Sequence, residues 1–243
     1  MKLHSGFVKL VILLLVTTLY GQLVAPFARS FGSTEAYYLF NKGLLAVLLV
    51  AYVVVTGQAR AAGLTGSSRL ATLPVYWPLF LLTVLLMLAP TTPPDAQTLM
   101  LFAGVAVSVG IAEELMFRGL VFHWFRDQTV RRQILISALA FGGAHLFGLL
   151  VTDAVAVILA QSVFASAVGA VIACARARDD SIWLPISVHA GFDFVALTAA
   201  GGIGGALADT PETVLRLLVS GLLIWLWAAW LIWRAPRHVP APA

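Results

Sequence analysis

Charged residues are scarce in this chain. They make up 11% of the 243 residues, while apolar residues make up 60%, against about 25% charged in a soluble domain. That scarcity excludes a soluble globule with a large core and points to an integral membrane protein. Lys plus Arg total 15 against 11 acids. No dense basic run with interleaved aromatics accompanies the excess, which speaks against a nucleic-acid partner. The single cysteine, Cys174, excludes an intrachain disulfide and reads as a small buried hydrophobe. The apolar N-terminal run has no small-x-small cleavage site and reads as a retained first span rather than a signal peptide. No internal repeat and no long linker occur, so 1–243 reads as one transmembrane domain with its motif-bearing core at about 98–200. The tail 235–243, with three prolines, reads as disordered.

What is present is a series of apolar segments near the ~20 residues needed to cross a hydrocarbon core. Eight can be placed, over 7–27, 37–56, 75–88, 99–122, 134–150, 154–175, 182–200 and 214–233. Pro74 and Pro78 are expected to kink the start of the third, and the Gly201–Gly205 cluster to end the seventh. Loop charges alternate. Lys2 and Lys9, Arg60 and Arg69, Arg126 with Arg131 and Arg132, Arg176 with Arg178, and Arg234 with Arg237 fall on one side. Arg29 with Glu35, Asp95, Asp153, and Asp209 with Glu212 fall on the other. The positive-inside rule then gives an all-α, eight-helix transmembrane bundle with both termini cytoplasmic. Of the four tryptophans crowding the last span, those nearest Arg234 read as an interfacial anchor.

Few polar residues fall within the spans. The strong ones are Glu113, Glu114, Arg118, His145, His189 and Asp193; Asn41, Lys42 and Gln161 are weaker. Lys42 reads as a side chain that snorkels toward the nearer surface. A carboxylate in a membrane helix costs roughly 2.5–3.5 kcal/mol on insertion scales, so each calls for a use. Glu114 and Arg118 are four apart on one helix face and can pair; Glu113 is turned away by about 100° and lacks that partner. By the rise per residue, Glu113, His145 and His189 lie ~13, ~17 and ~11 Å from the cytoplasmic ends of three different spans. Asp193 is one turn beyond His189. Phe141, one turn before His145, reads as a packing residue that orients the imidazole. Gly142 and Gly143 read as points of close helix approach.

A carboxylate and an imidazole facing one water can serve as a general base. A second imidazole with a donor one turn away can hold an oxyanion. No Ser or Cys has a base beside it at this level, so water is the expected nucleophile. Glu113, His145 and His189 also suit a divalent metal such as Zn, with one position left for water. The residues alone leave both readings open. A proton- or cation-coupled transporter could use the same groups, but no repeat is seen and the outer halves of these spans offer no matching polar groups.

Glu113-Glu114-x-x-x-Arg118 followed by Gly119 resembles the first motif of the CAAX prenyl protease and bacteriocin-processing (CPBP, Abi) family of intramembrane proteases. Phe141-x-x-x-His145 resembles its second motif, and His189-x-x-x-Asp193 after Trp183-Leu-Pro-Ile its third. The resemblance covers about a third of the chain, from Ile111 to Asp193. It implies an eight-helix bundle that hydrolyses peptide bonds inside the membrane. Eukaryotic relatives cut prenylated CAAX tails; bacterial relatives mature peptides or bacteriocins, protect against them, or process sorting signals. Carried over, Glu113 and His145 activate the water, His189 and Asp193 stabilise the oxyanion, and Glu114 and Arg118 support Glu113. The family has been described both as metalloproteases and as glutamate proteases. Its third motif often ends in Asn; a carboxylate at Asp193 donates a hydrogen bond only when protonated. The expectation is an endopeptidase acting near the cytoplasmic face on a membrane-anchored or lipidated peptide, with the lipid bilayer as its other partner. The alternatives are the transporter and a non-catalytic immunity or chaperone protein of the same fold.

Overall fold

The structure is a computed structural model and describes residues 2–89 and 92–236. Among the described residues eight helices, with their flanking turns, are long and apolar enough to cross a membrane. They are α1 Lys2–Val24, α2 Thr34–Val55, α3 Trp77–Met87, α4 Ala96–Glu114, α5 Val130–His145, α6 Val155–Arg176, α7 Trp183–Ala200 and α8 Pro211–Arg234. No strand occurs among the described residues. The protein is an all-α, multi-pass integral membrane protein. Large side chains such as Leu15, Leu23, Val55 and Leu222 lie on its outer surface, where lipid rather than water is the solvent.

Local chemistry sets the helix ends. Ser33, Asp95 and Thr210 cap α2, α4 and α8 by accepting the backbone N–H groups of Ala36, Thr98 and Thr213, the usual remedy for the unpaired first-turn donors. Gly201 ends α7 in the left-handed region at φ 71°, a conformation glycine adopts without steric cost. Pro74 sits in a 3-10 turn, Leu70–Tyr76, that leads into α3, and Pro78 lies in the first turn of α3. The missing N–H of Pro78 costs nothing there.

The centre of the bundle is α6. Its run from Ala165 to Ala175 is buried throughout and made largely of Ala, Gly and Val, small residues that let neighbouring helices approach. Cys174 belongs to this core and is fully buried. Trp225 and Trp227 of α8 turn inward, donating to Ser166 Oγ at 3.0 Å and to the carbonyl of Val75 at 2.9 Å. Trp233 faces outward. Ala235 is also packed, and its carbonyl accepts from Arg131 Nε at 3.1 Å. The remainder of the tail, 237–243, lies outside the described residues.

The bundle end that carries the basic loops is sealed. The loop after α2 lies against the α6–α7 connection: Ile182 N–H donates to the Gly63 carbonyl at 3.1 Å, and Trp183 Nε1 to the Leu64 carbonyl at 2.8 Å. Buried Asp179 ties the two loops by accepting the N–H groups of Arg69 at 2.8 Å and Ser181 at 3.0 Å. Gly66 is pressed so closely on Asp180 that an added Cβ would lie 2.3 Å from its carbonyl oxygen.

Candidate active site

The site is built where α4 changes pitch. After Glu114 the helix continues as a π-helical turn, Leu115–Val121, with all seven residues buried. Such turns are rare and recur at functional sites. Side-chain donors reach its carbonyls: Ser137 Oγ donates to Phe117 O at 2.9 Å, and Arg176 Nε to Arg118 O at 3.2 Å.

Glu114 and Arg118 form the expected ion pair, 3.0 Å apart, and both side chains are fully inaccessible. The second Arg118 amino group donates to the Gly169 carbonyl at 3.1 Å, and the guanidinium lies 4.4 Å from the centre of the Phe141 ring. Gly169 is required here, because a Cβ would stand 2.9 Å from Phe141 and 3.1 Å from Arg118. Phe141 in turn meets both imidazoles edge to face, at 5.0 Å from His145 and 5.8 Å from His189. It therefore packs against the ring it was expected to orient and against a second one.

Glu114 Oε1 also faces His189 Nδ1 at 2.6 Å. The other ring nitrogen, Nε2, lies 3.5 Å from Asp193 Oδ2 and 4.0 Å from Glu113 Oε2. Both nitrogens of His189 thus face carboxylate oxygens, which accept and do not donate when ionised. His145 differs. Its Nδ1 lies 2.9 Å from the Phe141 carbonyl, which can only accept, so in the neutral ring Nδ1 carries the proton and Nε2 keeps its lone pair.

The partner of Glu113 is Lys42 on α2, whose Nζ lies 2.9 Å from Oε1. This residue does not snorkel away, because a buried carboxylate offers its ammonium a nearer partner than the surface. The pair is separated by 71 positions, and no local spacing announces it. The only signal was a lysine inside an otherwise apolar span. Glu113 keeps 14% of its side chain accessible, Lys42 26% and Asp193 26%, so these three, unlike Glu114 and Arg118, can meet a bound molecule.

Glu113, Lys42, His145, His189 and Asp193 line one chamber of about 870 Å³, within the range of ligand pockets. Glu113, Phe117, Phe141 and His189 are the lining residues of α4, α5 and α7 nearest the sealed end, so the site forms the floor. The walls come from the opposite ends of the helices and include Tyr20, Tyr37, Asn41 and Gln161. The polar groups of the walls are supplied largely by α1 and α2, which hold no motif. From this floor the chamber extends toward the helix ends opposite the basic loops.

A metal fits this arrangement poorly. Among the described residues no three His, Cys, Asp or Glu side chains form a group able to hold an ion. One oxygen of Glu113 is taken by Lys42, and both nitrogens of His189 face carboxylates.

Residues 95–195 match the family model described as type II CAAX prenyl endopeptidase Rce1-like. The matched stretch runs from the cap of α4 into α7 and holds all three motifs. The likeness to this CAAX-protease family covers less than half of the chain. The family is one of proteases, and its members fit a membrane-embedded enzyme with a membrane-associated substrate. Lys42, with the whole of α1 to α3 and α8, lies outside the matched stretch of this CAAX-protease relative. No curated protein and no solved structure matches the chain.

Proposed function

We propose that the protein is an intramembrane endopeptidase in which Glu113 and His145 activate a water for attack on a peptide bond of a membrane-anchored substrate. The observation that carries this is the pair of acceptors on the chamber floor: Glu113 Oε2, 4.0 Å from His189 Nε2, and His145 Nε2, left available by the bond from Nδ1 to Phe141. A water between them would lose a proton to this pair as it adds to the carbonyl carbon. The same proton would then pass to the leaving amine. His189 Nε2–H and the Lys42 ammonium stand beside Glu113 and would take the developing oxyanion, as preorganised donors in a site of low dielectric.

Asp193 has a different part in this reading from the amide common in the family. Its Oδ2 lies 3.5 Å from His189 Nε2 and helps to orient the ring, and Lys42 supplies the positive donor that a carboxylate cannot. Glu114 and Arg118, wholly buried, act as positioning residues beneath the floor. No step requires a metal.

The test is cleavage of a membrane-anchored peptide library by the purified protein in lipid, with and without a strong chelator. Cleavage that survives chelation is expected. Loss on chelation that Zn reverses would contradict the metal-free reading, and ion or proton flux without cleavage would replace it by transport.

A further inference from the structure

The floor of the chamber and its far end lie toward sets of loops that differ in charge. Its walls come from the second half of α1, the first half of α2 and the first half of α8, at the end where α5 and α7 finish. Lining residues such as Thr152, Gly204 and Leu207 belong to the loops at that end. The loops at that end carry Asp95, Asp153, Asp209 and Glu212 with one arginine, Arg29. The opposite loops carry Arg60, Arg69, Arg126, Arg131, Arg132 and Arg178 with Asp127, Asp179 and Asp180. On that side the floor is backed by the buried Glu114–Arg118 pair, by Arg176 on the π turn, and by the loop after α2 clamped over Asp179 and Ser181. Short loops rich in Lys and Arg stay in the cytoplasm, and acidic ones contribute little to orientation.

We infer that the chamber opens to the non-cytoplasmic side, so that the enzyme cuts a peptide segment presented at the outer face of the membrane, not a prenylated tail presented from the cytosol. The inference rests on the protease reading for what is cut, and on fold and charge alone for the side of entry. The segment that fits is the translocated stretch of a membrane-anchored protein next to its anchor. Such a stretch reaches the mouth while its anchor stays in lipid. The wall chemistry agrees. Tyr37, Asn41 and Gln161 set polar side chains among apolar ones, as peptide grooves require, while the Tyr20 hydroxyl is spent on the Asn41 carbonyl at 2.6 Å. A cytosolic C-terminus would meet the sealed end, where Ser68 bonds to Ser181 at 3.1 Å and Trp183 to Leu64 at 2.8 Å.

Cysteine labelling separates the two sides. The single native thiol, Cys174, is fully buried and can be replaced by Ala as a silent background. Gly204→Cys places a thiol at the open mouth, where a Cβ meets nothing within 4 Å. Ser67→Cys places one on the exposed loop of the sealed end. Each is treated with a membrane-impermeant maleimide in intact cells and in inside-out vesicles. Labelling of Gly204→Cys in intact cells, and of Ser67→Cys only in inside-out vesicles, is expected; the reverse pattern overturns the inference. A second arm places one cleavable segment on either side of a single-pass anchor. Cleavage only of the outward segment is expected, and cleavage only of the cytosolic segment overturns the inference while leaving the protease reading intact. Failure to cut either segment with the expected labelling pattern would count against the protease reading and leave the open side established.

Discussion

Arg118 shows how far a single motif residue can be read before its surroundings are known. The spacing from Glu114 gives the ion pair. The bond to Gly169 on α6, 51 positions away, and the stacking on Phe141 depend on tertiary contact and have no local signature. Removing one partner of a buried pair leaves an uncompensated charge at a cost of about 3–5 kcal/mol. Arg118→Met is therefore expected to lower stability by about that amount, read by reversible unfolding in mixed micelles. A loss under ~1 kcal/mol, the range of exposed pairs, would show that the guanidinium is not held as described. Lys42 is the converse case. It carries no motif, lies outside the matched stretch of the chain, and is read from sequence as a snorkelling lysine. In the structure it is the closest cation to Glu113. If it serves the oxyanion, Lys42→Met lowers kcat by about 10²–10³ with little change in KM, the scale of losing one such donor, and Lys42→Arg restores much of it. An unchanged kcat in Lys42→Met would reduce the lysine to a counter-ion.

At the scale of elements, the helix count and the caps follow from composition and spacing. Gly201 ends α7 and Pro78 opens α3, as their backbone preferences require. The π turn is not legible, because nothing in Leu115–Val121 distinguishes a wider helix from an ordinary one. Helix approach is legible only in part. Gly142 and Gly143 read alike in sequence, yet a Cβ at Gly142 would stand 2.5 Å from Ser166 Cβ and 2.7 Å from the Ser162 carbonyl oxygen, while one at Gly143 meets nothing within 4 Å. Ser162 Oγ also donates to the Gly142 carbonyl at 2.7 Å, fastening α5 to α6. Gly142→Ala is expected to cost about 1–3 kcal/mol by overpacking and to displace His145 three residues on. Gly143→Ala should change neither stability nor activity. Thermal unfolding and turnover of the two variants side by side decide it, and equal behaviour would mean the two helices are not in contact at Gly142.

For the whole molecule, the alternation of loop charge and the apolar runs were enough to give eight spans and an all-helical membrane fold. Each observed boundary falls within a few residues of its expectation, because hydropathy and charge act locally. The chamber is a collective feature. It exists because α1 and α2 stand off from α7 and α8 at one end while the loop after α2 closes the other. Neither property is encoded in a window of sequence, and the depth of Glu113, His145 and His189 along their helices could not reveal it. The three motifs gave the floor, and the unmatched helices gave the walls and the lysine.

The account stands most directly on Glu113. The measurement is single-turnover cleavage of a membrane-anchored peptide in H₂¹⁸O by wild type and by Glu113→Gln, with the two proteins matched in thermal unfolding. The account predicts one ¹⁸O atom in the new carboxyl group of the product, none in Glu113, and a rate in Glu113→Gln lower by about 10²–10⁴, the usual contribution of a general base. Cleavage by Glu113→Gln at the wild-type rate, or ¹⁸O found first in the Glu113 carboxyl group, would contradict it.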